Sequence, residues 1–382
     1  MEAEKCTKCG EPCMYLKEMG WICVNAECDV LDGEPDYTRG ADGTIIPNSP
    51  MPEMTPMDEE ISRTMAGRGA DGMATVLGLL QELRVGEPIQ GDNLTAFPLF
   101  ARGNGGMDYL TLDEALEDQL VQITEVDAGG SVPELKVVNE GNVMVLLLEG
   151  DQLIGAKQNR TLNTTLLVAA ASEVVVPVSC TEAGRWRSVS AAFRASKRYS
   201  HPSLRREKGR GVHASLKRGA GHRSDQAAVW AEVDRVAHSL SASSPTRDYE
   251  AVHDAVAGDV ERLVDCVHLP DDAVGVAVAF GGRVEVVEIF DRPETLRKVW
   301  RKLAHGYAVE ALDRRDAHQP PAKVPSSEDV KAFLGRVASE GTMESYPSPG
   351  VGQDVRIEVG EATGAALVAG GSVVHCAVFA TP

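Results

Sequence analysis

Between Leu146 and Trp186 the chain places carboxylate, amide, guanidinium and thiol side chains at the ends of aliphatic runs. Leu146-Leu147-Leu148 leads into Glu149-Gly150-Asp151, and Gln152-Leu153-Ile154 leads into Gly155-Ala156-Lys157-Gln158-Asn159-Arg160, with Asn163 close behind. Val175-Val176-Pro177-Val178 leads into Ser179-Cys180-Thr181-Glu182-Ala183-Gly184-Arg185-Trp186. A surface turn needs only a small polar residue, whereas polar groups converging at the ends of buried strands are what a small-molecule pocket needs. Lys157, Gln158, Asn159, Arg160, Asn163, Arg185 and Trp186 are therefore the candidate ligand-binding residues, with Arg160 able to grip a phosphate or carboxylate through two parallel hydrogen bonds. The competing reading is that the amides and Arg160 tie down irregular backbone.

Cys180, Glu182 and Glu149 are the candidate catalytic groups. Cys180 becomes a nucleophile only if a cation such as Arg185, or a histidine such as His201 or His375, lowers its pKa; otherwise it is a small buried residue at a strand end. Glu182 and Glu149 form an acid/base pair only if the fold brings them together, a separation the sequence does not set. His375 lies in an apolar run and reads as a satisfied core histidine. Beyond the N-terminal cysteines there is no HExxH or comparable ligand spacing, and no GxGxxG or GxxxxGK[ST] loop follows a strand.

Five of the eight cysteines fall in the first 28 residues: Cys6, Cys9, Cys13, Cys23 and Cys28. Cys6-Thr7-Lys8-Cys9-Gly10 is a CxxC knuckle, and Cys23-Val24-Asn25-Ala26-Glu27-Cys28 is a wider second pair. The spacing resembles a zinc ribbon with Cys6, Cys9, Cys23 and Cys28 as ligands of a structural zinc, a hairpin between the pairs, and Cys13 as a spare thiol. So small a module draws most of its folding free energy from the metal. Its flanking charges are mainly acidic, which favours a protein partner over nucleic acid.

At 382 residues and 43% hydrophobic composition the chain can build a sizeable core, filled mainly by Val, Ala and Leu because aromatics are only 5%. A net charge of −19 argues against nonspecific binding to nucleic acid or anionic membranes. No apolar run reaches the roughly 20 residues of a bilayer span, and the first residues carry no signal-peptide core, so a cytoplasmic protein is expected.

The organisation expected is a zinc-ribbon-like module over residues 1–30, a Pro/Gly/acidic linker over 31–72, and a domain over 73–382. Helices are expected at 73–85, 112–119 (capped by Thr111), 224–239, 249–266, 293–312 and 326–339, the last opened by a Ser-Ser-Glu-Asp cap. Strands are expected at 94–100, 121–126, 135–139, 143–148, 152–157 and 174–178. Hairpins are read at Glu149-Gly150-Asp151, Gly281-Gly282 and Gly370-Gly371. The fold class is α+β, with largely antiparallel sheets and helices inserted between hairpins. From Arg185 to Arg223 there are twelve Lys or Arg against one acid, Glu207. That island reads as a mobile lid over an anionic ligand, loosened by Gly209, Gly211, Gly219 and Gly221, as a solvated loop, or, behind these two, as a grip on nucleic acid.

The stretch from Asn93-Leu94-Thr95-Ala96-Phe97-Pro98-Leu99, through Leu148-Glu149-Gly150-Asp151 and Gly155-Ala156-Lys157-Gln158-Asn159-Arg160, to Pro177-Val178-Ser179-Cys180-Thr181-Glu182-Ala183-Gly184-Arg185-Trp186 resembles the bacterial ARG and rhodanese-phosphatase-superfamily-associated protein domain, from about Val76 onward. No biochemical activity is established for that family. Its name records genomic association with ADP-ribosylglycohydrolase and rhodanese-phosphatase genes, so the resemblance implies metabolism of ADP-ribose or NAD derivatives and names no catalytic residue. Two readings result. In one the domain binds or processes a phosphorylated ligand of that class; in the other it is a non-enzymatic adaptor whose zinc ribbon recruits a protein.

Overall fold

A computed structural model of the chain describes residues 69–101, 107–127, 130–315 and 324–381, together with the backbone of five short strands between residues 13 and 47. The chain divides into two units, 1–63 and 64–382. In the first, β1 (Cys13–Leu16), β2 (Gly20–Cys23) and β3 (Leu31–Asp32) form an antiparallel sheet in that order, with Cys13 opposite Cys23. β4 (Tyr37–Arg39) pairs with β5 (Ile45–Pro47). Cys6, Cys9 and Cys28 lie outside the described residues, and of Cys23 only the strand backbone is described.

The second unit is an α+β fold of two sheet systems joined by helices. Its strands are β6 (Arg84–Val85), β7 (Ile89–Gln90), β8 (Leu94–Phe100), β9 (Tyr109–Thr111), β10 (Val121–Glu125), β11 (Glu134–Asn139), β12 (Met144–Leu147), β13 (Asp151–Gly155), β14 (Arg160–Leu162), β15 (Leu166–Val168), β16 (Ser172–Cys180), β17 (Phe193–Tyr199), β18 (Gly275–Phe280), β19 (Arg283–Phe290), β20 (Thr342–Pro347), β21 (Gln353–Val359), β22 (Ala362–Ala369) and β23 (Ser372–Phe379). Its helices are α1 (Gly69–Glu82), α2 (Leu112–Glu117), α3 (Pro202–Lys217), α4 (Gln226–Ser239), α5 (Glu250–Ala255), α6 (Ala257–Val264), α7 (Pro293–Asp313) and α8 (Ser327–Glu340). None of the described helices is long and apolar enough to cross a membrane.

The first sheet system runs β10-β11-β16-β14-β13-β17, and its edge strands β10 and β17 come into contact, so the sheet curls toward a barrel. The smaller sheet β15-β12-β9 packs on the same core, where Ile123, Val137, Leu147, Leu153, Leu162 and Val178 are buried. The second system is a nine-stranded sheet in the order β20-β21-β22-β23-β19-β18-β8-β6, with β7 also on β8. Both of its faces are covered. Val276, Val278 and Val286 face the helical layer that includes α4 and α7, while Ala277, Ala279 and Val287 face α1 and α8. A strand buried on both faces needs a continuous apolar run, which is why Gly275–Phe280 shows none of the alternation of a half-exposed strand.

The turns read from Gly281-Gly282 and Gly370-Gly371 are hairpins, β18–β19 and β22–β23, and all four glycines have positive φ. The third is corrected. Gly150 does take a left-handed φ of 99°, but β12 pairs with β9 and β15 whereas β13 pairs with β14 and β17. Glu149-Gly150-Asp151 therefore carries the chain from one sheet to another instead of closing a hairpin. The sequence contains an acceptable turn, but which strands pair is decided by long-range burial. The β9–β12 pairing is parallel, whereas the other ladders among the described residues are antiparallel.

Capping chemistry places the helix starts well. Thr111 and Ser326 each form a reciprocal box, with Glu114 and Asp329, and Asp225 accepts from Ala227 and Ala228. The helix expected over 249–266 is broken at Val256 into α5 and α6. The basic island is corrected more deeply. Residues 193–199 are a strand and 202–217 a helix, so Gly209 and Gly211 lie inside α3 and hinge nothing, while Gly219 and Gly221 follow its end with positive φ. Gly211 is required there because a Cβ would come within 2.6 Å of the Asp225 amide.

The two sheet systems touch where Val351, between β20 and β21, donates to the Leu167 carbonyl at 2.8 Å. Gly350 lets the backbones meet, since a Cβ on it would lie 2.1 Å from the Leu167 oxygen. Gly350→Ala should therefore destabilise the fold by about 1–3 kcal/mol, the usual range for overpacking, read as a lower urea midpoint at unchanged slope. For the first unit, a four-thiolate zinc site stands as a proposal. Elemental analysis should find one zinc per chain, lost in Cys28→Ser and kept in Cys13→Ser; metal kept in Cys28→Ser excludes that ligand set.

Candidate functional site

The short strand β14 divides the polar residues of the central stretch between two centres. Arg160 lies opposite Cys180 and Thr161 opposite Ser179 in the β14–β16 ladder. Directly opposed residues share a face and successive residues alternate. Arg160 and Cys180 thus belong to the face of Leu162 and Val178, inside the curled sheet, whereas Thr161, Asn163 and Ser179 look outward toward α3 and α4.

The inward centre is built from the start of β14 and the end of β16, where Arg160 lies opposite Cys180. The Gln158 amide oxygen accepts from Arg160 Nη1 and from the Cys180 thiol, both at 3.1 Å. Arg160 is fully buried, yet its Nε and Nη2 have no hydrogen-bond partner. Above it lies the Trp186 ring, 50% exposed, with the Arg160 guanidinium 5.8 Å and the Lys157 ammonium 5.4 Å from its centroid, both within cation–π range. Burial depresses the Arg160 pKa, while the nearby Cys180, Glu125 and Glu182 oppose that shift.

Beside this centre Arg185 acts as a staple. Its Nε reaches both Glu182 oxygens at 2.9 Å, Nη1 reaches the Ala156 carbonyl at 2.6 Å, and Nη2 reaches Asn159 Oδ1 at 3.1 Å. Asn159 in turn donates to Asp248 at 3.1 Å, and its backbone N–H reaches Glu182 at 3.2 Å. Burial alone would raise the Glu182 carboxyl; the bonds from Arg185 and Asn159 outweigh it and hold the group below its usual range. Glu182 is thus an ionised anchor for the loop that carries Trp186. Of the expected binding residues, Lys157, Gln158, Asn159, Arg160, Arg185 and Trp186 come together here. Asn163 does not: it accepts from Ser179 at 2.6 Å and donates to the His222 carbonyl on the outward face.

Glu149 also stands apart from Glu182, because the Gly150 turn delivers it to the layer between the two sheet systems. Arg205 reaches it at 2.9 Å and Lys208 at 2.9 Å, both from α3. Arg205 also makes a two-pronged pair with Glu288 at 2.8 and 2.8 Å. Burial pushes the Glu149 carboxyl upward, but Lys208 and Arg205 overcome this and hold it below the usual range. A carboxylate paired with two cations is poorly placed to exchange protons with Glu182, so the two-carboxylate reading is not supported by the geometry.

The histidines expected to activate Cys180 are held elsewhere. His201 bonds Tyr249 at 2.7 Å and Glu232 at 2.9 Å, and His375 bonds Thr165 at 2.8 Å and Glu288 at 3.0 Å. Burial pushes the Cys180 thiol up to about 11, against the pull of Arg160. At neutral pH it is a neutral thiol, a donor to Gln158 with no thiolate character. Glu125, Asp248 and Gln226 complete the surroundings of the inward centre, and the sequence flags none of them because each arrives from a distant element. Among the described residues no three His, Cys, Asp or Glu side chains gather as a metal-holding group.

One consequence is checkable with iodoacetamide on the native chain. Of Cys180, Cys266 and Cys376, the cysteines whose side chains are described, only Cys266 is exposed, so peptide mapping should find Cys266 alkylated at pH 7.5 while Cys180 and Cys376 react only after unfolding. Rapid native alkylation of Cys180 would show a reactive thiol.

The family model for the ARG and Rhodanese-Phosphatase-superfamily-associated Protein domain matches residues 82–379, which takes in both polar centres. No curated protein and no solved structure matches the chain. The chain belongs to the ARG and Rhodanese-Phosphatase-superfamily-associated Protein domain family.

Proposed function

We propose that the inward centre binds a phosphorylated small molecule of the ADP-ribose or NAD-derivative class. Arg160 takes the anionic group, and Trp186 with Lys157 takes the base or sugar. The observation that carries this reading is the fully buried Arg160 guanidinium with two nitrogens unpaired. A buried guanidinium that makes only one hydrogen bond and no ion pair is costly to keep. A planar fork with two free donors matches the oxygens of a phosphate or carboxylate. The half-exposed indole over that fork supplies a face for a ring, in the manner of aromatic platforms that stack bases. Binding requires the ring to slide off the guanidinium while the bonds of Arg185 hold the adjoining backbone in place. The family name points to the same chemistry through its association with ADP-ribosylglycohydrolase genes.

The test is a thermal-shift titration of the full chain with ADP-ribose at low and moderate salt. At a hundred times the dissociation constant the ligand should add about 2.7 kcal/mol, a rise of several degrees in Tm. Arg160→Met should remove that shift and leave the ligand-free chain as stable as the wild type or more so, because it replaces an unpaired buried charge with an apolar group of similar length. Trp186→Phe should keep part of the shift and lose the fluorescence change that accompanies it. A chain that ADP-ribose does not stabilise, or one that loses stability in Arg160→Met with binding intact, would overturn the proposal and leave Arg160 as a structural tie.

A further inference from the structure

Between α3 and the strands β21–β23 lies a small cleft that the inward centre does not use. Thr165, His375, Arg205 and Arg356 line it, and its walls are the small residues Gly209, Gly364, Ala365 and Ala366. Its free volume is about 20 Å³, slightly more than the roughly 10–15 Å³ that one water needs.

The polar atoms around it form an ordered chain. Glu288, at 0% exposure, bonds the Nε2 of His375 at 3.0 Å, and the Nδ1 of His375 lies 2.8 Å from the Thr165 hydroxyl. Glu288 stays ionised: burial would raise its carboxyl, but Arg205 and His375 hold it far below the usual range. A neutral imidazole that donates from Nε2 to this carboxylate presents its Nδ1 lone pair to Thr165, so the hydroxyl proton points at His375. The Glu149 N–H donates to the same hydroxyl oxygen at 3.0 Å and fixes it. Hydroxyl, imidazole and carboxylate, each within hydrogen-bond reach of the next, are the arrangement that activates an alcohol nucleophile. A separate observation concerns Arg356. Its Nη2 is held by Asp354 and by Thr164 at 2.9 Å, but its Nε is buried and has no hydrogen-bond partner. That leaves a charged donor beside the cleft, as stabilisation of a developing oxyanion requires.

We propose that Thr165 is a nucleophile activated by His375, and that the cleft accepts the acyl group of esters of the smallest carboxylic acids, acetate in size. The Thr165 oxygen attacks the ester carbonyl carbon, its proton passes to His375 Nδ1, and the carbonyl electron pair moves onto the oxygen, with the Arg356 guanidinium in the wall of the same cleft. When the intermediate collapses, the carbon–oxygen bond to the alcohol breaks and His375 returns the proton to the departing alkoxide. A water repeats the sequence on the acyl-threonine, releasing the carboxylic acid and restoring the hydroxyl. Glu288 is a positioning residue that fixes the imidazole tautomer. The small walls set the acyl size, and the cleft, which has room for little more than one water when empty, must widen to take the acyl group. None of these residues belongs to the Arg160 centre, so this activity and ligand binding there stand or fall separately.

The experiment treats the full chain with p-nitrophenyl acetate and follows nitrophenol release, intact mass and peptide mapping. The expected result is one acetyl group on Thr165 and slow turnover. Both should be absent in Thr165→Ala, retained in Thr165→Ser, and slowed about a hundredfold or more in His375→Asn, the usual loss when a general base is removed. Nitrogen-15 shifts of the His375 ring should report the Nε2–H tautomer in the native chain and a mixture in Glu288→Gln, which a merely structural role for Glu288 would not produce. Should neither the wild type nor a folded Thr165→Ser become acetylated at residue 165, or should acetylation persist undiminished in His375→Asn, the proposal fails. The cleft is then the site of a buried water within a structural network.

Discussion

The architecture of the second unit depends on Arg205. One guanidinium, fully buried, holds Glu149 at the sheet-to-sheet turn and Glu288 in the middle of the nine-stranded sheet, while Tyr307 from α7 reaches the same Glu288 carboxylate. Lys208, one turn further along α3, closes on Glu149. These charges have left water, so each is tolerable only with its partners in place, and removing one member of such a set typically costs about 3–5 kcal/mol. The cluster specifies more than it stabilises. An apolar layer would let α3 slide between the two sheet systems, but the two-pronged Arg205–Glu288 pair admits one position. Both polar centres take their geometry from that position, since α3 flanks the outward face of β14 and roofs the Thr165 cleft.

The part of this fold that local chemistry controls was legible in the sequence. Leu94–Phe100 has the strand bounds expected of it, the Thr111 and Ser326 caps mark helix starts, and the paired glycines at 281–282 and 370–371 close hairpins. What could not be read was decided by partners far along the chain. The run from Arg185 to Arg223 looks like a solvated or mobile segment because its composition is basic, yet Arg205 and Lys208 are buried by Glu149 and Glu288, about 56 and 83 positions away from Arg205. Charge composition predicts exposure only when no counter-charge is waiting inside the fold. The Glu149-Gly150-Asp151 turn misled for the same reason, because strand pairing there depends on sheets that the turn itself does not see.

For the candidate site the sequence identified most of the participants of the inward centre but not how they are divided. Six of the residues grouped by proximity meet around Arg160 and Glu182, while Asn163 and Glu149 fall on other surfaces. Alternation along β14 supplies the physical reason, and short irregular links on both sides of that strand hide its phase from any periodicity argument. Thr165, Glu288 and His375 come from three separate strand regions, so no spacing in the chain could have joined them. Belonging to the family adds context to these centres without choosing between them.

The β14–β16 ladder has one more consequence. Because adjacent residues of a strand face opposite ways, positions 160 and 180 can change without touching positions 161 and 179, and the reverse also holds. The strand works as a partition wall with independent furnishings on each side. Descendants of this scaffold can therefore remodel the inward centre through one parity of residues while the other parity keeps the hold on α3. Insertion or deletion of a single residue in β14 is the change that this freedom does not extend to, since it would exchange the two sides at once.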